Sequence, residues 1–75
     1  MTAKEMFESL GFKDTNSDES EINYVIKKGM CVGYIRFFVM QREYRVWIPS
    51  KYDFIPVEWH KAIHQQMKEL GWLDV

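Results

Sequence analysis

Residues 31–40, CVGYIRFFVM, predict the central strand of a small antiparallel sheet. The stretch is rich in β-branched and aromatic residues, carries one charge at Arg36, and lacks the capping residues of a helix. Alternate side chains of a strand point to opposite faces, and here both faces are apolar. One face carries Cys31, Gly33, Ile35, Phe37 and Val39, and the other carries Val32, Tyr34, Arg36, Phe38 and Met40. In a chain of 75 residues, the remaining sequence must supply the cover for each side.

Two flanking segments alternate apolar and polar residues in the manner of strands. They are residues 21–27, with Ile22, Tyr24 and Ile26 on one side, and residues 44–48, with Tyr44, Val46 and Ile48 on one side. Lys28 and Gly29 predict a tight turn before residues 31–40, and the polar residues 41–43 predict the next turn. Short turns between sequential strands favour an antiparallel meander with residues 31–40 in the middle.

Helix signals stand at both ends of the chain. Thr2 followed by Glu5 is a capping-box pattern, and it predicts a first helix from about residue 3 to residue 10 that ends at Gly11. Pro56 is suited to the first position of a second helix, which continues to about Leu70. The apolar stripe of this second helix consists of Trp59, Ala62, Ile63, Met67 and Leu70.

These elements predict an α+β fold of order α-β-β-β-α in a single small domain, residues 1–75. Residues 13–20 form a polar surface loop, and residues 51–55 form a loop with Tyr52 and Phe54 as aromatic anchors. Both helices are expected on one face of a three-stranded antiparallel sheet, the more apolar face that carries Ile35 and Phe37. The other face then presents a candidate binding surface of Tyr34, Arg36, Phe38, Met40, Arg45 and Trp47, with Val25 and Lys27 beside it.

Three interpretations of this second face follow from its composition. Tyr, Trp, Met and Arg are enriched at protein interfaces, so the face fits contact with another protein, most simply in a two-fold homodimer. Aromatic rings among cations also fit single-stranded nucleic acid, since bases stack on rings while cations follow phosphates. The net charge of −1 favours the protein partner. In the third interpretation, a helix or the loop around Tyr52 and Phe54 covers the face, and its residues are core.

Composition places the chain among soluble proteins. Hydrophobic residues make up 47% and charged residues 28%, and Cys31 is the only cysteine, so an internal disulfide is excluded and a reducing cytoplasm is expected. No secretory signal or membrane-spanning run is visible, so no membrane association is expected. Charge is uneven: two lysines against six carboxylates give residues 1–23 a net charge of −4, and eight cations against five carboxylates give residues 24–75 a net charge of +3.

Catalytic and metal-binding patterns are weak. His60 and His64 have the spacing of a two-histidine metal pair on a helix, but a third ligand is missing, and a solvated basic face is the better interpretation. Cys31 lies at the start of a strand, where nothing in the sequence favours the thiolate that a nucleophile requires. We therefore expect no enzymatic activity, no catalytic residue, no metal and no cofactor.

Both ends of the chain resemble a known group of proteins. Residues 1–12, MTAKEMFESLGF, and residues 60–73, HKAIHQQMKELGWL, resemble the opening and closing segments of small uncharacterised proteins of Gram-positive prophages and integrated mobile elements. The resemblance covers about a third of the chain and leaves its middle unmatched. It implies a cytoplasmic accessory protein that interacts with host or phage machinery, with no established activity to assign to particular residues.

Overall fold

The computed structural model describes residues 1–48 and 55–73 of the chain. Two helices flank a run of four strands in this part. The elements are α1 (Ala3–Ser9), β1 (Phe12–Asp14), β2 (Glu21–Lys28), β3 (Cys31–Phe38), β4 (Glu43–Trp47) and α2 (Val57–Glu69). The α+β class and the antiparallel sheet are confirmed, and the order is α-β-β-β-β-α.

The prediction of three strands is wrong, because the sheet has four strands in the order β1-β2-β3-β4. The additional strand β1 pairs antiparallel with β2, with Phe12 opposite Ile26 and Lys13 opposite Val25. Strand β1 includes Lys13 and Asp14, the first two residues of the segment 13–20 that was expected to be a loop. β1 has three residues and one buried side chain, Phe12, which are too few to show an alternating pattern. Phe12 also contacts Phe7 of α1 edge to face, with ring centroids 5.3 Å apart.

The ends of α1 follow the predicted capping chemistry. The Glu5 backbone N–H donates to Thr2 Oγ1 at 3.2 Å, and the Thr2 backbone N–H donates to Glu5 Oε1 at 2.8 Å. The Thr2 hydroxyl also donates to Glu5 Oε1 at 3.1 Å, and the two bonds that the carboxylate accepts, the one from the Thr2 backbone N–H first, lower the pKa of Glu5. Gly11 follows the helix with a φ of +100°, a conformation that glycine adopts without steric cost.

Helix α2 begins one residue later than expected. Pro56 is extended and acts as the N-cap, and Val57 is the first helical residue. After the helix, Gly71 has a φ of +75° and turns the chain so that Trp72 packs against Phe37, with ring centroids 6.0 Å apart. The C-terminal end of α2 also contacts the start of α1, because Glu69 Oε2 accepts a hydrogen bond from the Ala3 backbone N–H at 2.7 Å.

One core lies between the two helices and a single face of the sheet. The ring of Phe7 stacks on Tyr24 with centroids 4.2 Å apart, and Trp59 contacts Phe12 edge to face at 4.9 Å. The buried apolar residues are Ala3, Phe7, Phe12, Tyr24, Ile26, Ile35, Phe37, Trp59, Ala62 and Ile63. The helices therefore cover the predicted face, and the predicted stripe of α2 contributes to it, with Met67 and Leu70 packed against the core.

Strand and turn boundaries differ by one or two residues from those expected. The turn after β2 is formed by residues 29–30, and β4 begins at Glu43 and ends at Trp47. β3 ends at Phe38 because residues 39–42 turn, with Arg42 at a φ of +58°. Pro49, Tyr52 and Phe54 lie outside the described residues.

A buried polar pair joins the sheet to α2, and the sequence pattern did not predict it. The Tyr24 hydroxyl donates to Gln66 Oε1 at 2.7 Å, and both residues are buried. Burial raises the pKa of the Tyr24 phenol above its ordinary value of 10.0, so the hydroxyl remains a neutral donor. The side chain of Gln66 has no other hydrogen bond among the described residues, so Tyr24 is the donor that satisfies its buried amide oxygen.

We expect Tyr24→Phe to lower the free energy of unfolding by about 1–3 kcal/mol, since it leaves a buried amide oxygen without its donor. Tyr44→Phe is the matched control, because Tyr44 is exposed and also stacks on Phe37. The control should change stability by less than about 0.5 kcal/mol. Urea denaturation followed by circular dichroism measures both values, and equal effects of the two substitutions would contradict the assigned role of the pair.

Candidate functional site

The face of the sheet opposite the helices carries the candidate site. Strand pairing arranges its side chains in four rows that cross the strands. Row 1 is Glu21, Phe38 and Glu43; row 2 is Asn23, Arg36 and Arg45; row 3 is Lys13, Val25, Tyr34 and Trp47; row 4 is Lys27 and Val32. We call these twelve residues the open face.

Five of the six predicted binding residues lie on the open face. Tyr34, Arg36 and Phe38 are half-buried, whereas Arg45 is exposed and Trp47 is 51% exposed. Met40 is the exception, since β3 ends before it, and it lies 80% exposed in the turn between β3 and β4. Its placement on the strand was therefore wrong.

The interpretation in which a helix covers the open face is wrong. α1 contacts the opposite face through the stacking of Phe7 on Tyr24, and α2 contacts it through the hydrogen bond of Gln66 to Tyr24. Tyr24 pairs with Ile35 in the core, whereas its neighbour Val25 pairs with Tyr34 on the open face. The alternative cover, by Tyr52 and Phe54, concerns residues outside the described part of the chain.

A chain of ring and cation contacts crosses the open face. The rings of Trp47 and Tyr34 are nearly parallel, at an interplanar angle of 11° and a centroid distance of 6.0 Å. The guanidinium carbon of Arg36 lies 5.0 Å from the centroid of the Tyr34 ring, within the range of a cation–π contact. Arg36 Nε also donates to Asn23 Oδ1 at 2.7 Å. These contacts hold the guanidinium in one orientation.

Asn23 anchors this arrangement, and the sequence analysis did not single it out. It is only 7% exposed, and its side chain donates from Nδ2 to the Asn16 carbonyl at 3.3 Å. Its backbone N–H donates to Ser17 Oγ at 2.9 Å. Asparagine is depleted in strands, and its presence at residue 23 was the available signal. Part of the expected polar loop therefore supports the open face.

The same loop is ordered by a second set of hydrogen bonds. Asp18 Oδ1 accepts from the Ser20 hydroxyl and backbone N–H, both at 2.8 Å, and from the Glu21 backbone N–H at 2.9 Å. These bonds, the Ser20 hydroxyl first, lower the pKa of Asp18. These bonds thus fix the start of β2 at Glu21, which belongs to row 1.

The charges of the open face are unevenly distributed. Arg36 and Arg45 are direct cross-strand partners in row 2, and like charges opposite each other destabilise a sheet. Neither arginine forms an ion pair with a carboxylate in the described part of the chain. Four cations and two carboxylates lie on the face, which gives it a positive balance in a chain of net charge −1. Both arginines can therefore bind a carboxylate, a carbonyl or an aromatic ring of a partner.

A shallow groove of about 300 Å³ extends the open face toward β1. Its lining includes the ammonium-bearing chains of Lys13 and Lys27, with Val25 between them on the sheet. Gly11 and Thr15 complete it. A groove lined by two lysines can bind an acidic side chain.

The remaining candidates stay separate from this surface. His60 and His64 are exposed on α2, on the opposite side of the sheet. No group of three or more His, Cys, Asp or Glu side chains that could hold a metal ion occurs among residues 1–48 and 55–73. Cys31 is a half-buried free cysteine at the start of β3.

Comparison of the chain with protein-family models, curated proteins and solved structures finds no match. Neither helix of the described segments is long and apolar enough to cross a bilayer. The function of the chain is therefore inferred from the geometry and chemistry of the open face.

We expect Asn23→Ala to lower the free energy of unfolding by about 1–3 kcal/mol, since it removes a buried hydrogen-bonding side chain shared by Arg36 and the loop. Gln41→Ala, at an exposed turn position, is the control and should have little effect. Chemical denaturation measures both. An Asn23 variant as stable as the control would show that the Arg36 contact contributes nothing to the fold.

Proposed function

We propose that this chain is a small non-enzymatic accessory protein that binds another protein through its open face. The observation that carries the proposal is row 2, where Arg36 and Arg45 are cross-strand neighbours with no carboxylate partner among the described residues, next to the stacked rings of Tyr34 and Trp47. Tyr, Trp and Arg are the residues that contribute most to binding at protein interfaces. The resemblance of the chain ends to mobile-element proteins agrees with an interaction role in the cytoplasm.

Orientation of the side chains supports this proposal. A flexible arginine loses rotamer entropy when it binds, and Arg36 is already held by Asn23 and Tyr34. Its terminal nitrogens have no hydrogen-bond partner among the described residues, so they can donate to a partner. The exposed ring of Trp47 offers a large apolar contact next to them.

Single-stranded nucleic acid is the second candidate, favoured by Lys13, Lys27 and the two arginines around three aromatic rings. Two observations weigh against it. Glu21 and Glu43 flank Phe38 in row 1, where they would repel a phosphate backbone. Tyr34 already contacts Arg36 and Trp47, so its ring is less accessible for stacking on a base.

The test compares open-face variants with a matched helix variant. Phe38→Asp and Trp47→Ala should abolish protein association while the monomer stays folded, because they remove apolar contact area from the face. Val57→Asp and Val57→Ala are the controls, since Val57 is an exposed apolar residue at the start of α2. Light scattering over a range of concentrations, at low and high salt, reports self-association. Capture experiments with nuclease treatment report other partners.

Association that is unchanged in both open-face variants would refute the proposal. Binding that is destroyed by nuclease, falls steeply with salt and is lost in Arg36→Ala or Arg45→Ala would instead establish the nucleic-acid candidate, since phosphate contacts make affinity salt-dependent. A protein complex that tolerates salt and requires Phe38 and Trp47 is the expected result.

A further inference from the structure

We propose that the open face binds a second copy of this chain in a two-fold dimer, in which Glu21 of each copy pairs with Lys27 of the other. This inference rests on the proposed function and names the partner. It follows from the order of the four rows, because each row is complementary to another row of the same face.

The geometry of facing sheets determines which rows meet. Residues on one face of a strand are two positions apart, so neighbouring rows are about 7 Å apart. Consider a two-fold axis that lies between the two sheets, parallel to the rows, and passes between rows 2 and 3. This axis places each strand opposite the same strand of the second copy. It also places row 1 opposite row 4 and row 2 opposite row 3.

The contacts that this axis creates are favourable in both inner and outer rows. In the inner rows, Arg36 lies opposite Tyr34 and Arg45 lies opposite Trp47 of the other copy, so that each guanidinium faces the aromatic row and not another cation. Asn23 is buried under its own loop and takes no direct part in the contact. In the outer rows, Glu21 meets Lys27 and Phe38 meets Val32. Every contact occurs twice, and no two like charges face each other.

Other positions of the axis are less favourable. An axis through row 2 places Arg36 opposite Arg36 and Arg45 opposite Arg45, and like-charge contacts across an interface cost several kcal/mol. An axis between rows 1 and 2 pairs Glu43 with Arg45, but it moves the rings of row 3 past the strand ends. Among the axes parallel to the rows, only the one between rows 2 and 3 uses all four rows. An axis parallel to the strands places each row opposite itself, and it therefore brings the arginines of row 2 against those of the other copy.

The groove beside β1 supplies room for the acidic side chain. Lys27 lines it together with Lys13, and its volume of about 300 Å³ exceeds that of a carboxylate group. Facing sheets cross at about 30°, which displaces the outer rows sideways. Glutamate and lysine side chains are long enough to follow this displacement, and Lys13 offers a second cation.

The size of the face fits a moderate affinity. Four strands spaced about 4.8 Å apart and four rows about 7 Å apart cover roughly 500 Å² in projection. This is below the area of about 800 Å² that each partner buries in a standard interface. We therefore expect a dimer that dissociates in the micromolar range or above.

Charge reversal tests the pairing directly. In a dimer of the Glu21→Lys variant, both contacts between residues 21 and 27 bring lysine against lysine. In a dimer of the Lys27→Glu variant, both contacts bring carboxylate against carboxylate. The dissociation constant of each variant should therefore be at least tenfold higher than that of the wild type. An equimolar mixture of the two variants should restore wild-type affinity, because one copy then supplies both cations and the other both carboxylates. The double variant in one chain should also restore it. Glu58→Lys and Lys61→Glu on α2 are the matched controls.

Sedimentation equilibrium measures the dissociation constants of all these proteins. Single variants that associate like the wild type, or a mixture no tighter than its components, would overturn the inference. If self-association nevertheless requires Phe38, the proposed function stands and only the two-fold register fails. A wild type that is monomeric up to millimolar concentration overturns the dimer, and the Phe38→Asp capture experiment then decides the proposed function separately.

Discussion

The packing of Tyr24 between Phe7 and Gln66 is the constraint on which the fold depends. Its ring stacks on α1, its hydroxyl binds α2, and its backbone lies in the second strand of the sheet. Tyr24 thus connects both helices to the sheet. A chain of 75 residues can build a single core of this kind, and both helices are used on one side of the sheet. The exposed aromatic residues of the open face follow from this distribution.

An antiparallel sheet with one covered face normally presents polar residues on the other. Here the open face instead combines Trp47 with half-buried Tyr34 and Phe38, and with two adjacent arginines. Asn23 is the buried support of Arg36 and holds its guanidinium in one orientation. The structure therefore contains polar contacts that order part of the open face, as the proposed binding role requires.

The sequence was sufficient to predict the elements whose signals are local. The capping box at Thr2, the positive φ at Gly11, and the alternation of β2 and β3 each depend on neighbours within a few residues. Strand β1 was missed because it has only three residues and one buried side chain, Phe12, which are too few to show an alternating pattern.

The roles of polar residues that bind partners on other elements could also not be predicted from the sequence. Asn23 stands at a polar position in the alternation of β2, Gln66 is a polar residue of α2, and the partners of both lie on other elements. Met40 was misplaced because the strand pattern continues two residues past the point where the backbone turns. The open face itself was predicted through five of its residues, since alternation alone assigns a side chain to a face.

The indole N–H signals of the three tryptophans report whether association uses the open face. Trp47 lies on that face, whereas Trp59 is buried in the core and Trp72 packs against Phe37 on the opposite side. In ¹⁵N-correlated NMR spectra recorded over increasing protein concentration, or on addition of a captured partner, we expect the Trp47 signal to shift while the other two stay in place. A shift confined to Trp59 or Trp72, with Trp47 unchanged in a sample that associates, would contradict this expectation.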